Sequence, residues 1–308
     1  MTGIPFLPPQ ASSASLEFDL LYFFLTGVSA FFVVLVGFLV VYFTLKYRRR
    51  HPDEVGADIH GSIVLELTWT IIPLLLSMVM FGWGASLFYR MSVPPSDSMD
   101  LYVVGKQWMW KVQHPDGVRE INEMHVPVNR NVRLTLGSED VIHDYGIPAF
   151  RVKMDAVPGK LTTMWFRATV PGTYHVYCDQ YCGTGHSAMM GKVIVMEPED
   201  YEAWLSGGGT IVAGAPDGEQ LFKDLACLTC HKPEGGGIGP SLMNAAGRTV
   251  KLVDGREVVA DDNYLRESIM NSQAKVVAGF MPVMPVFQGQ VSEEQVMALI
   301  AYIKAQKQ

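Results

Sequence analysis

Cysteine is scarce in this chain and confined to one end: four residues among 308, none before position 178. They fall in two close pairs, Cys178 with Cys182 and Cys227 with Cys230. Pairs so close point to metal or cofactor attachment and away from a disulfide framework. Basic residues are in deficit, with 24 Lys and Arg against 31 Asp and Glu and a formal net charge of -7. That balance argues against nucleic acid as a partner, because phosphate binding needs a basic surface. It is compatible with a basic protein partner. The sequence shows no internal repeats.

Charge is missing altogether from Leu20 to Leu45 and from Leu67 to Tyr89. At about 1.5 Å per residue, either run crosses a hydrocarbon core of about 30 Å. Both exceed the usual length of globular helices. A signal peptide would need basic residues before the first run, and there are none. Lys46, Arg48, Arg49 and Arg50 follow it instead. Positive charge stays inside. The N-terminus is therefore expected outside, and everything after about Met91 is periplasmic or extracellular.

The outer part divides in two. Val132, Leu134 and Leu136 alternate with Arg133 and Thr135, the period of a half-buried strand. Gly191 to Met196 is a short apolar run, and Pro158–Gly159 and Pro171–Gly172 mark turns. Many short strands with such turns suggest a sandwich or barrel. A short helix is expected over Glu199 to Leu205. The boundaries expected are a two-helix membrane hairpin with its N-terminal segment in 1–95, a β domain in 96–205, a Gly-rich linker in 206–216 and a last domain in 217–308. The final helix starts at Ser292 with Gln295 three residues on, a capping-box pattern. Val296, Leu299, Ile300 and Ile303 follow at helical spacing.

Cys178-Asp179-Gln180-Tyr181-Cys182-Gly183-Thr184-Gly185-His186-Ser187-Ala188-Met189 brings two thiols, an imidazole and a thioether into one short segment. Soft sulfur with imidazole suits copper, and His143 lies upstream on a loop of its own. Two cysteines four apart can bridge two copper ions, with one His capping each. A zinc site of two Cys and two His uses the same residue types, so the ligands alone leave both open. A single blue-copper site would leave Cys182 unexplained.

Further motifs surround this segment. They are Asp140-Val141-Ile142-His143, Phe150 to Gly159, Gly105-Lys106-Gln107-Trp108-Met109-Trp110, and Glu66-Leu67-Thr68-Trp69-Thr70-Ile71-Ile72-Pro73. Together with the copper segment they resemble subunit II of cytochrome c oxidases, in the right order over about residues 18 to 200. The resemblance implies a cupredoxin-like Greek-key barrel. It implies that Cys178 and Cys182 bridge two coppers (the CuA centre) and that His143 and His186 are terminal ligands. Met189 and the carbonyl of Gln180 are then weak ligands, and Met190 packs inward as the strand begins. Trp108 is similar to the residue through which electrons enter; the plainer reading is a core Trp. Glu66 resembles the family residue at the mouth of a proton pathway in subunit I; the plainer reading is an interfacial Glu favoured by a helix N-terminus. Most of the family has Glu at position 180, where the carboxylate helps bind magnesium at the subunit I interface. Gln180 is a poorer ligand for a hard cation, which weakens the case for magnesium here.

Cys227-Leu228-Thr229-Cys230-His231 is a C-x-x-C-H haem-attachment motif. The thiols can form thioethers with the haem vinyl groups, and His231 is placed to ligate iron. Gly239-Pro240, then Phe280 to Phe287 and the capped last helix, make residues from about 216 to 305 resemble an all-α class I cytochrome c. The distal ligand is then a Met, with Met284 favoured over Met281. All four cysteines are thereby used, and no disulfide is expected.

The resemblance implies an electron conduit in a bacterial inner membrane. A cytochrome or other redox protein reduces haem c, the electron passes to the copper pair, and haem–copper oxidase subunit I reduces dioxygen among further membrane subunits. A copper-containing nitric oxide reductase is the alternative expectation. A membrane-anchored copper chaperone or a zinc-stabilised scaffold would not need the haem motif.

Overall fold

The computed structural model describes residues 7–207 and 217–306. The chain forms two compact units, Ser13–Val93 and the remainder. The first is a helical hairpin of α1 (Ser15–Lys46) and α2 (Ile63–Ser92). Both helices are long and apolar enough to cross a membrane, and their most apolar stretches are uncovered by the rest of the chain. At one end of the hairpin Glu17 pairs with Arg90 and accepts a hydrogen bond from Trp83 Nε1 at 3.2 Å. Pro73 lies inside α2, where neighbouring groups in a membrane can compensate its missing N–H.

The second unit begins with residues ahead of α1. Ala11 N–H donates to the Ala149 carbonyl at 3.1 Å, and Ser12 Oγ donates to Phe150 O at 2.8 Å. The chain before α1 and the chain after α2 thus share one unit. Ten strands follow: β1 (Met99–Lys106), β2 (Met109–Gln113), β3 (Arg119–Ile121), β4 (Glu123–Pro127), β5 (Asn131–Ser138), β6 (His143–Ile147), β7 (Val152–Ala156), β8 (Thr162–Arg167), β9 (Gly172–Cys178) and β10 (Met190–Met196). They make two five-stranded sheets, ordered β3-β2-β1-β5-β8 and β4-β10-β9-β6-β7. The β1–β5 and β10–β4 pairs are parallel and the others antiparallel. This is a cupredoxin-like β architecture. Its core is Leu101, Val103, Val132, Leu134 and Leu136 facing Ile147, Val176 and Val193.

Strand β1 is buried on both faces. Leu101 and Val103 join the barrel core, while Tyr102 and Val104 pack with the C-terminal domain. Thr135, placed by its alternation on the polar side of β5, is only 2% exposed for the same reason. The helix expected over Glu199 to Leu205 is α3 (Pro198–Gly207). Ser206 and Gly207 therefore end a helix, and the rest of the expected linker, 208–216, lies outside the described residues.

The last domain holds α4 (Gly218–Asp224), a two-stranded ribbon of β11 (Thr249–Lys251) and β12 (Glu257–Val259), α5 (Asp262–Met270) and α6 (Glu293–Ala305). The ribbon was not foreseen. At the α6 N-terminus Ser292 and Gln295 form a reciprocal capping box. Helix α4 crosses α6 at Gly218, where any side chain would collide with the Ala298 carbonyl, and Phe222 packs on Tyr302 at 5.2 Å between ring centres.

Candidate metal centre and haem cleft

Three pieces of chain bring the copper-type residues together. His143 opens β6, Cys178 ends β9, and these strands pair at Tyr145 and Cys178. The loop from β9 to β10 carries Cys182 and His186, and Met189 closes it just before β10. The two sulfurs lie 3.7 Å apart. That exceeds the roughly 2.05 Å of a disulfide. It is under the roughly 4.6 Å that two metal–sulfur bonds of about 2.3 Å can span. His143 Nδ1 is 3.9 Å from Cys178 Sγ, and His186 Nδ1 is 3.5 Å from Cys182 Sγ. Met189 Sδ lies 3.7 Å from Cys182 Sγ, and the Gln180 carbonyl 3.2 Å from Cys178 Sγ. One imidazole and one weak donor therefore attend each sulfur.

Burial corrects one expectation. Met189 is 1% exposed and Met190 49% exposed, so Met190 does not pack inward. The strand begins with its side chain on the outer face, and the thioether aimed at the thiols is the residue before it.

Burial pushes the Cys178 thiol up, but the His143 imidazole and backbone hydrogen bonds outweigh it and hold the group down at about 7. Cys182 is pushed up to about 12, by burial first and then by the neighbouring sulfur. The asymmetry follows from placing two ionisable sulfurs side by side: the first proton leaves readily and its negative charge holds the second. A cation that binds both sulfurs relieves that repulsion, so the donor set fits thiolate-bound metal.

Sequence reasoning missed Asp140 as a partner. Its Oδ1 lies 2.8 Å from His143 Nε2, which leaves Nδ1 facing the thiols. The carboxylate also accepts the Gln107 N–H at 2.7 Å. Such an outer partner fixes the tautomer and orientation of a metal-binding imidazole. The signal was there, a carboxylate three residues before the His.

Trp108 and Trp110 take different roles. Trp110 is 1% exposed and meets Tyr145 edge-on at 4.7 Å between ring centres. Trp108 is 39% exposed and donates from Nε1 to the Cys182 carbonyl at 3.2 Å. Its ring lies so close over Gly185 that any Cβ there would overlap it. Glu66 is in the first turn of α2 and exposed, apart from these residues in a different unit.

The second centre is a cleft of about 1060 Å³, open mouth included, in the last domain. Cys227, Cys230, His231 and Met284 all line it among apolar side chains such as Leu265, Phe287 and Ile303. The short turn Cys227–Thr229 places His231, whose N–H donates to the Cys227 carbonyl at 2.9 Å. His231 Nδ1 lies 2.7 Å from the Pro240 carbonyl, leaving Nε2 free. Gly239 lets the chain pass against that ring, where a Cβ would sit 2.8 Å from Cε1. Met284 is half-buried and its carbonyl accepts from Ser272 Oγ at 2.7 Å. Met281 also lines the cleft but is 70% exposed. Two thiols, an imidazole and a thioether in an apolar cleft fit a covalently attached haem c.

Comparisons with known proteins follow this division. The family described as cytochrome c oxidase subunit II, transmembrane domain, matches residues 4–82, and its periplasmic domain matches 117–197. The cytochrome c family matches 215–307. Cytochrome c oxidase subunit 2 of Alkalihalophilus pseudofirmus is 31% identical over 294 residues, spanning 89% of this chain and 83% of that protein. The subunit of the same name from Thermostichus vulcanus is 33% identical over 253 residues, spanning 64% and 77%. A crystal structure of the periplasmic domain of subunit II of cytochrome oxidase from Bradyrhizobium japonicum is 32% identical. It covers 37% of this chain and 94% of that one, with a TM-score of 0.36.

Proposed function

The chain belongs to the cytochrome c oxidase subunit II family, and from that premise we propose which of its residues carry the electron. It is the electron-accepting subunit of a terminal haem–copper oxidase, with a cytochrome c domain fused at its C-terminal end. It works within a complex whose other subunits include the one that reduces dioxygen to water. When bound, haem c and the copper pair supply the one-electron redox states that a polypeptide lacks.

Cys178 and Cys182 would hold both coppers, with His143 and His186 as further ligands and Met189 and the Gln180 carbonyl as weak ones. The observation that carries this is a chain of short contacts in which the two thiols meet each other, Cys178 meets His143, and Cys182 meets His186 and the buried Met189 thioether. Asp140 orients His143. Cys227 and Cys230 would anchor the haem, and His231 and Met284 would supply its iron ligands. Pro240 holds the His231 ring through its carbonyl, and the apolar walls exclude water. Trp108 is the path inward for electrons from outside, since its ring bridges solvent and the Cys182 carbonyl. Gln180 is exposed and neutral, so its side chain supplies no argument for magnesium. Glu66, in the first turn of α2, is the residue that would serve at the mouth of a proton pathway in subunit I, the plainer role being an interfacial Glu at a helix N-terminus.

The domains we assign are 1–95, of which the residues ahead of α1 pack with the outer unit, then 96–207 with α3 closing it, and 217–308. The location is a bacterial inner membrane. Residues before and after the hairpin belong to one folded unit, which supports both hairpin ends lying on the periplasmic side. The donor is a cytochrome or another small redox protein. Oxygen uptake by the purified complex tests this reading. Uptake that vanishes in Cys182→Ser agrees with it; a complex that consumes nitric oxide and no dioxygen contradicts it.

A further inference from the structure

The haem-binding domain meets the barrel along α6, and the contact is built from both sides. Glu294 binds Lys111 Nζ at 2.6 Å and Arg119 Nη1 at 3.0 Å. Asn263 pairs with the backbone of Leu161 in both directions, accepting its N–H at 2.8 Å and donating to its carbonyl at 3.1 Å. Arg266 donates to the Gly159 carbonyl at 2.7 Å.

Among these polar contacts sits Met297, wholly buried. Its Cε presses on Gly137 of β5, where a Cβ would lie only 3.0 Å away. The next strand, β1, receives His143 in the same manner from the other face: a Cβ on Gly105 would lie 2.9 Å from its Cδ2. Gly137 is in register with Val104, and Ser138 with Gly105. Alternation turns Gly105 inward after Leu101 and Val103, and Gly137 outward after Leu134 and Leu136. A single thickness of sheet therefore separates Met297 from His143. Neighbouring strands lie about 4.8 Å apart and successive residues about 3.3 Å, so the crossing is one strand sideways and one residue along. The other side of α6 sends Leu299 and Ile303 into the haem cleft.

We propose that α6 bridges the haem cleft, which its Leu299 and Ile303 line, to His143 through Met297 and the β1–β5 sheet, and that electrons from the fused haem take this route and not the Trp108 route. The proposal rests on the cofactor assignment above. In the step the haem iron is oxidised by one electron and the copper pair is reduced by one; no bond breaks and no proton moves. Glycine at 105 and 137 removes the side chains that would hold the bridging groups off the backbone. Trp108, on the loop before β2, keeps an exposed edge for an external donor.

The test uses the full chain in its complex, with both cofactors. A light pulse reduces the haem by one electron, and its passage to copper is timed. The potentials of both centres and the hydrogen exchange of the Leu161 amide are measured beside it. Met297→Ala is expected to slow the transfer several-fold while the potentials and the protection of Leu161 stay as in the parent. Met297→Leu, which refills the contact, is expected to restore most of the rate. An unchanged rate in Met297→Ala overturns the bridge. So does a slowed rate with Leu161 protection lost, which assigns Met297 to docking alone. A chain lacking the copper or haem signal overturns the cofactor assignment and the bridge with it; both signals with a rate insensitive to Met297 overturn the bridge only.

Discussion

His231 and Pro240 are joined by a 2.7 Å hydrogen bond from the imidazole Nδ1–H to the backbone carbonyl. The bond fixes the tautomer, so Nε2 is the nitrogen left to bind the iron of the proposed haem. It also depends on Gly239, because a Cβ there would lie 2.8 Å from His231 Cε1. Gly239→Ala is expected to push the ring aside at a cost of about 1–3 kcal/mol and to lower the haem content per chain. Absorbance of the denatured protein reads that content, and full haem in the variant would contradict the assignment.

The two methionines are separable. Met284 is half-buried with its backbone held by Ser272, while Met281 is 70% exposed. A Met ligand raises the potential of a haem. Redox titration of the haem is expected to show a lowered potential in Met284→Ala and the parent value in Met281→Ala. The reverse pattern would transfer the ligand role to Met281.

Asp140 is hydrogen-bonded to one of the proposed copper ligands, His143. Loss of an outer carboxylate partner typically weakens metal binding about 10–100-fold. Asp140→Asn should show that loss in competition with a copper chelator, while two coppers are still taken up at saturation. Parental affinity would mean that His143 Nε2 is held by something else.

Away from both centres, Glu120 joins two histidines, with Oε1 2.8 Å from His114 Nε2 and Oε2 2.5 Å from His125 Nδ1. Burial pushes this carboxyl up, but the His114 and His125 hydrogen bonds outweigh it and hold it at about 2, against an ordinary 4.5. A folded value below the unfolded one stabilises fully above the unfolded value and is lost as pH falls through the folded one. The contribution is therefore complete above about pH 4.5 and withdrawn towards about pH 2. Glu120→Gln should cost about 1–3 kcal/mol near neutrality, and its deficit in thermal midpoint should shrink on acidification. A deficit constant down to about pH 2 would show that charge plays no part.

What the sequence made legible was local. The uncharged runs, the Cys spacing, the C-x-x-C-H motif and the Ser292–Gln295 cap are each contained in a few consecutive residues, and each lies in the element it announced. What stayed hidden was long-range. Ala11 and Ser12, ahead of the hairpin in sequence, reach Ala149 and Phe150 well after it, and no local pattern encodes that. The double-sided burial of β1 comes from α6, nearly two hundred residues later. Met190 was misplaced because alternation does not reveal where a strand's phase begins; the preceding loop sets it.

The account rests on this chain holding a pair of coppers and a haem together. The most direct measurement is the metal content of the purified full chain, taken with its low-temperature paramagnetic spectrum. Two coppers and one iron per chain, with one unpaired electron shared between both copper nuclei, are the expected result. A single-copper spectrum, or zinc in place of copper, would contradict it.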